Sequence, residues 1–170
     1  MAASFRRAMD GLYFVCVLIS GVCLVLISLI IPWGVYTRYV LNRAASWPEP
    51  MAILLTILLT FLGGAACYRT SVHMRVLLLR NALPATLQRA IAILAEVLMG
   101  VLALFMVVHG AGLVRATWFQ EVPEFPALAV GVSYLPIPVG GAILLLFVIE
   151  HLLIGPPPDA EPAHATSEFD

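Results

Sequence analysis

Charge is scarce in this sequence, and lysine is absent altogether. Only 11% of the 170 residues are charged, all nine basic residues are arginine, and the net charge is -1, whereas roughly a quarter of the residues in an ordinary soluble domain are charged. The chain has no basic stripe to neutralise a run of phosphates, which argues against nucleic-acid binding. Because 62% of the residues are hydrophobic, the composition predicts a protein that folds in a lipid bilayer.

The sequence also lacks the residue patterns of enzymes and metal sites. It contains no Ser, His and Asp set, no glycine-rich phosphate loop and no zinc-binding His/Glu motif, and its four histidines lie in different regions. The three cysteines, Cys16, Cys23 and Cys67, fall in apolar runs, where a thiol packs as a small hydrophobe. We therefore expect no catalytic residue, no cofactor, no metal and no disulfide framework.

Four apolar segments are present, at about 11–33, 50–68, 90–114 and 131–154. Each has about the length that a helix needs to cross the hydrocarbon, and backbone groups in lipid must be paired within the segment. The sequence predicts an all-α integral membrane protein, with a four-helix transmembrane domain over residues 1–155. Residues 156–170 are rich in proline and acidic residues and are predicted to form a disordered cytoplasmic tail.

The arginines predict the orientation of the chain, because cytoplasmic loops carry an excess of basic residues. With the N-terminus inside, six arginines lie in the cytoplasm and three lie outside. The six are Arg6, Arg7, Arg69, Arg75, Arg80 and Arg89, and the three are Arg38, Arg43 and Arg115. Both termini are therefore predicted to be cytoplasmic.

The second span is bounded closely on both sides. Trp47 and Tyr68 are amphipathic rings suited to the two headgroup layers, and Glu49 and Arg69 mark where water begins. Pro48 suits the first turn of a helix, whose amides are unbonded in any case. The segment 70–83 that follows is predicted to lie on the cytoplasmic interface, near anionic lipid headgroups. The candidate residues at this interface are Arg69, His73 and Arg75.

Two stripes of small residues predict close helix contacts, because small side chains let helices approach in lipid. One is Thr56, Thr60 and Gly64, and the other places Glu96 between small residues of the third span. The contact candidates are Thr56, Thr60, Gly63, Gly64, Glu96 and Gly100. An intramembrane carboxylate is a functional candidate by default; the alternatives are a protonated acid, a pair with an arginine, or a contact with a partner subunit.

Three stretches resemble the small membrane subunit of tripartite ATP-independent periplasmic (TRAP) transporters. They are RYVLNRAASWPEP, FLGGAACYRTSVHMRV and FPALAVGVSYLPIPVGG, in that order. The resemblance covers about residues 35–153. It implies a subunit of the bacterial inner membrane that braces a large multi-span membrane subunit, which imports an organic acid with sodium after a periplasmic protein has captured it.

The resemblance and the packing stripes together predict a scaffold subunit in contact with membrane lipids. Outward-facing candidates for touching the large subunit or the binding protein are Arg38, Arg43, Trp47, Glu49, Glu121 and Glu124. The alternative is a self-sufficient oligomeric channel or proton-coupled carrier that uses Glu96. A second rival, an intramembrane enzyme, is disfavoured because the sequence offers no nucleophile or metal set.

Overall fold

The computed structural model describes residues 2–43, 45–70, 85–122 and 125–154, and these are almost entirely helical. The elements are α1 (Ala2–Tyr39), α2 (Pro48–Arg69), α3 (Ala85–Thr117), the strands β1 (Glu121–Val122) and β2 (Phe125–Ala129), α4 (Val130–Tyr134) and α5 (Pro136–Ile154). Four helical stretches are long and apolar enough to cross a membrane. The prediction of an all-α membrane protein with four spans is confirmed.

The first helix is longer than its apolar segment. Its 38 residues extend over about 57 Å at 1.5 Å per residue, well beyond the hydrocarbon. It continues through Pro32 and ends at Tyr39. Three residues later Asn42 adopts a positive φ of 48°, a conformation that asparagine tolerates better than most residues. The early start of α1 is what brings Asp10 into a helix.

The boundaries of the second span agree with the sequence. Pro48 occupies the first turn of α2, as predicted, and the helix ends at Arg69. Residues 71–83 of the predicted interfacial segment, which include His73 and Arg75, lie outside the described residues, as does the predicted tail at 156–170.

The last span is interrupted near its start. The antiparallel pair of β1 and β2 precedes it, and Leu135 separates α4 from α5. Pro136 and Pro138 stand at the beginning of α5, where missing amide hydrogens cost least. The apolar segment predicted as one span therefore consists of a short helix and a long one.

The four spans form a row in which α1 packs on α2, α2 on α5, and α5 on α3. Two adjacent glycines let α5 sit between its neighbours: a Cβ at Gly140 would lie 2.8 Å from the Phe61 Cβ of α2, and one at Gly141 would lie 2.8 Å from the Met106 Cβ of α3. Such close approach is the main source of helix adhesion in lipid. The core around α5 is completed by Phe147 and Leu144, both buried.

Candidate functional site: a polar network at one end of the bundle

The most polar part of the bundle lies at the end that holds the start of α1 and the end of α5; we call it the network end. Arg69, the last residue of α2, donates from Nε to Glu150 Oε2 at 2.8 Å and from Nη2 to Glu150 Oε1 at 3.0 Å. Its Nη2 also donates to Asp10 Oδ1 at 2.6 Å. The side chains of Arg69 and Glu150 are only 4% and 2% exposed. A two-point arginine–carboxylate contact is among the strongest ion pairs available to a protein.

Aromatic rings surround the guanidinium. Its central carbon lies 5.6 Å from the ring centre of Tyr13 and 5.5 Å from that of Phe147, distances at which a cation is attracted to a ring face. The rings lie beside the buried Arg69–Glu150 pair, whereas the side chain of Asp10 is 64% exposed. The buried arginine is therefore held by two carboxylates, Glu150 and Asp10, and by rings from α1 and α5.

A second group of polar contacts lies beside the first and is centred on Glu96 of α3. The Tyr68 hydroxyl donates to Glu96 Oε2, and His151 Nδ1 lies 3.6 Å from Glu96 Oε1. His151 Nε2 lies 3.2 Å from the Arg69 carbonyl oxygen; since a carbonyl only accepts, Nε2 carries the hydrogen. The imidazole, which is 4% exposed, also packs against the Tyr68 ring at a tilt of 30°, with ring centres 5.0 Å apart. His151 thus joins the two groups.

Every span contributes to this network. Asp10 comes from α1, Tyr68 and Arg69 from α2, Glu96 from α3, and the pair of Glu150 and His151 from α5. Within the part of the chain that the structure describes, no group of three acidic, histidine or cysteine side chains is placed to hold a metal. The network joins one guanidinium, three carboxylates, an imidazole and a phenol hydroxyl, and it ties the four spans together at this end.

The opposite end, which holds the α1–α2 turn and the strand pair, is called the loop end. Here Arg38 Nη2 lies 3.7 Å from Glu49 Oε2, with side chains 58% and 79% exposed. An open groove of about 540 Å³ runs between the end of α1 and the start of α2 and is lined mainly by apolar residues such as Val35 and Ile53. The loop end thus presents exposed charges and an apolar groove.

A comparison with protein families identifies the family of the chain. Residues 27–154 match the family described as tripartite ATP-independent periplasmic transporters, DctQ component. The chain belongs to this family. No curated protein matches it. Members of the DctQ family are components of transporters, and the family is not one of enzymes. The chain is a multi-pass membrane protein.

The predicted helix contacts of this DctQ component divide into two sets. Gly63 faces Ser20 of α1, whose hydroxyl would lie 3.4 Å from an added Cβ, and Gly100 faces Val148 of α5 at 3.6 Å. These two glycines pack within the chain.

The stripe of Thr56, Thr60 and Gly64 is exposed instead. Both threonine hydroxyls donate to carbonyls of their own helix at 2.7 Å, and a Cβ at Gly64 would meet nothing within 4 Å. Among the described residues, Gly64 therefore makes no close contact with another helix. A contact with a partner stays a prediction.

The outward-facing candidates lie at the loop end, as far as the structure describes them. Arg38 pairs with Glu49, and Arg43, Trp47 and Glu121 are exposed. Glu124 lies outside the described residues. The structure buries Arg69, predicted as an interface residue, against Glu150. Within the described part of the chain, Glu96 contacts Tyr68 and His151 and not the arginine that was one of its alternatives.

Sequence reasoning missed three members of the network: Asp10, Glu150 and His151. Asp10 stands just before an apolar run, and Glu150 and His151 lie in the last turns of one, where a polar residue is expected to reach water. One signal was available, since all three and Arg69 fall at the same predicted end of their spans. Gly140 and Gly141 were also missed as packing residues, although two adjacent glycines inside a span are typical of close helix approach.

Proposed function

We propose that this chain is the small scaffold subunit of a sodium-coupled transporter that imports organic acids across the bacterial inner membrane. Its partners are a large multi-span membrane subunit and a periplasmic substrate-binding protein. The observation that carries the proposal is the family match over residues 27–154. The chain acts by bracing the large subunit, which binds substrate and sodium itself.

The arginine distribution supports an orientation with both termini in the cytoplasm. Arg6 and Arg7 belong to the first turns of α1 at the network end, while Arg38, Arg43 and Arg115 lie at or near the loop end. The positive-inside tendency therefore assigns the network end to the cytoplasm and the loop end to the periplasm. In this orientation the exposed charges of the loop end face the side on which the binding protein docks.

The contacts of Glu96 favour a static subunit over a self-sufficient channel or proton-coupled carrier. A transported ion or proton needs a carboxylate that is accessible along a path, but Glu96 is engaged by Tyr68 and His151 at one end of the bundle. These contacts are typical of a side chain that holds helices together. Vesicles that contain only this chain should show no solute or proton flux, with or without Glu96→Gln; flux that the substitution removes would support the rival.

Co-purification tests the scaffold role directly. The chain is co-expressed with the large membrane subunit of the same transport system and isolated in a mild detergent through a tag on the chain alone. A stable complex of the two is the expected result. Recovery of the chain without the large subunit, although both are present in the membrane, would contradict the proposal.

A further inference from the structure

The outward side of α3 carries an exposed stripe that does not suit contact with lipid. The stripe consists of Leu98, Leu102, Phe105, His109, Gly112 and Ala116, all exposed. Its members follow one another at alternating spacings of four and three residues, the spacing of helix pairs that cross at about 20°. The opposite side of α3, which includes the buried Ala103 and Val114, packs on α4 and α5. The stripe therefore has the pattern of a second packing face without a partner among the described residues of this chain.

His109 makes contact between this stripe and lipid tails unfavourable. It lies eight residues before the end of the span at Thr117, or about 12 Å along the axis, which places it inside the hydrocarbon. The ring of Phe105 stacks on the imidazole with centres 4.1 Å apart, but a phenyl ring accepts no ordinary hydrogen bond from its nitrogens. Ionisable side chains inside membranes nearly always face protein or a water-filled cavity.

Other exposed polar side chains in the spans are satisfied by their own helix. The hydroxyls of Ser28, Thr56 and Thr60 each donate to a carbonyl four residues earlier, at 2.7–2.8 Å. His109 makes no such bond among the described residues. On the outward side of α1, no charged residue or histidine occurs between Asp10 and Arg38. The stripe on α3 is thus distinguished from the outward sides of α1 and α2 by an unsatisfied polar group at hydrocarbon depth.

We propose that this stripe docks one transmembrane helix of the large subunit, and that His109 hydrogen-bonds a polar group of that helix at the same depth. Lipid tails offer no hydrogen-bonding partner, and a polypeptide that presents one inside the hydrocarbon is a helix in this class of protein. Gly112 and Ala116 let the partner backbone come close, since a Cβ at Gly112 would meet nothing within 4 Å. This inference rests on the proposed function and adds the docking face to it.

Photo-cross-linking in membranes that contain the complete complex locates the face. Benzoylphenylalanine replaces Phe105 on the stripe or, as the matched control, Phe14 on the outward side of α1, which is also exposed. We expect a cross-link to the large subunit from position 105 and none from position 14. An adduct between two copies of this chain, or the absence of a protein adduct at 105 while the complex is intact, would overturn the inference.

Substitutions give an independent test by co-purification. Gly112→Phe should lower recovery of the large subunit about tenfold, which corresponds to about 1.4 kcal/mol. The control Leu104→Phe lies on the same helix, is also exposed, and is rotated by about 120° from the stripe. His109→Leu should lower recovery about threefold, as expected for one interhelical hydrogen bond in a membrane, whereas His109→Gln should retain most of it.

The proposed function and the docking face can be disproved separately. If the unmodified chain does not co-purify with the large subunit, the proposed function is wrong and the inference falls with it. If the unmodified chain does co-purify but Gly112→Phe and Leu104→Phe behave alike, the docking face alone is wrong. Because Gly112 has open space around it, the variant should fold normally, which unchanged thermal unfolding of the isolated chain would verify.

Discussion

The two ends of the bundle use the same kind of ion pair in opposite surroundings. At the network end, Arg69 makes two hydrogen bonds to Glu150 in a site that is almost closed to solvent. At the loop end, Arg38 and Glu49 approach only to 3.7 Å with most of each side chain exposed. Close packing holds the loop half together instead: a Cβ at Gly131 would lie 2.9 Å from the Val114 carbonyl oxygen, and one at Gly110 would lie 3.0 Å from Ile137. One end is therefore fixed by charge and the other by close backbone packing.

Removing the buried arginine should have the largest effect. Arg69→Ala leaves Glu150 buried without its cation, and breaking a buried pair from one side costs about 3–5 kcal/mol. The free energy of unfolding in mixed micelles should fall by that amount. A loss no larger than that of Arg38→Ala would show that the difference between the two ends has no energetic meaning.

Filling the glycine contact between α5 and α3, midway between the two ends, should come next. Gly141→Leu places a side chain where even a Cβ would lie 2.8 Å from Met106, and overpacking of this kind costs about 3 kcal/mol at the upper end of its range. The matched control is Gly64→Leu, where an added Cβ meets nothing, and the isolated chain should tolerate it. Equal melting temperatures for the two variants would contradict the packing argument.

Removing one hydroxyl should weaken the network more modestly. Tyr68→Phe deletes the hydrogen bond to Glu96, and because Glu96 keeps some access to solvent, the expected loss is about 1 kcal/mol. The same substitution at the loop end, Tyr39→Phe, alters a side chain that is 74% exposed and should change nothing. Chemical denaturation of both variants measures the difference.

The exposed ion pair should matter least. Arg38→Ala should lower the free energy of unfolding by less than about 1 kcal/mol, and high salt should abolish even that difference by screening. The Arg69 effect should survive the same salt concentration, since buried charges are screened much less. An Arg38 effect that persists at high salt would show that this pair is more than a surface contact.

The sequence predicted the spans because hydropathy and backbone pairing act locally. An apolar run in lipid has to be helical. Pro48 marks the start of α2 because its ring fixes φ near the helical value and removes an amide hydrogen that the first turn does not use. The continuation of α1 beyond its apolar run was less visible, because a water-exposed helix end has no apolar signal.

The network was not predictable in the same way. Asp10, Glu96 and Glu150 are far apart in the sequence, and only the packing order of α1, α2, α5 and α3 brings two of them to Arg69 and the third to Tyr68. The small-residue stripes did not identify their neighbours for a related reason: spacing identifies a smooth helix face but not what packs on it. Gly100 therefore packs inside the chain, whereas Gly64, on an equally smooth stripe, faces outward.

Reconstituted transport tests the central claim most directly, which is that this chain works only as a brace for a larger partner. Vesicles are prepared with the large subunit, the periplasmic binding protein and this chain, and organic-acid uptake is driven by a sodium gradient. We expect uptake with all three components, and none when this chain is omitted or when it is present alone. Uptake by vesicles that contain this chain alone would contradict the account.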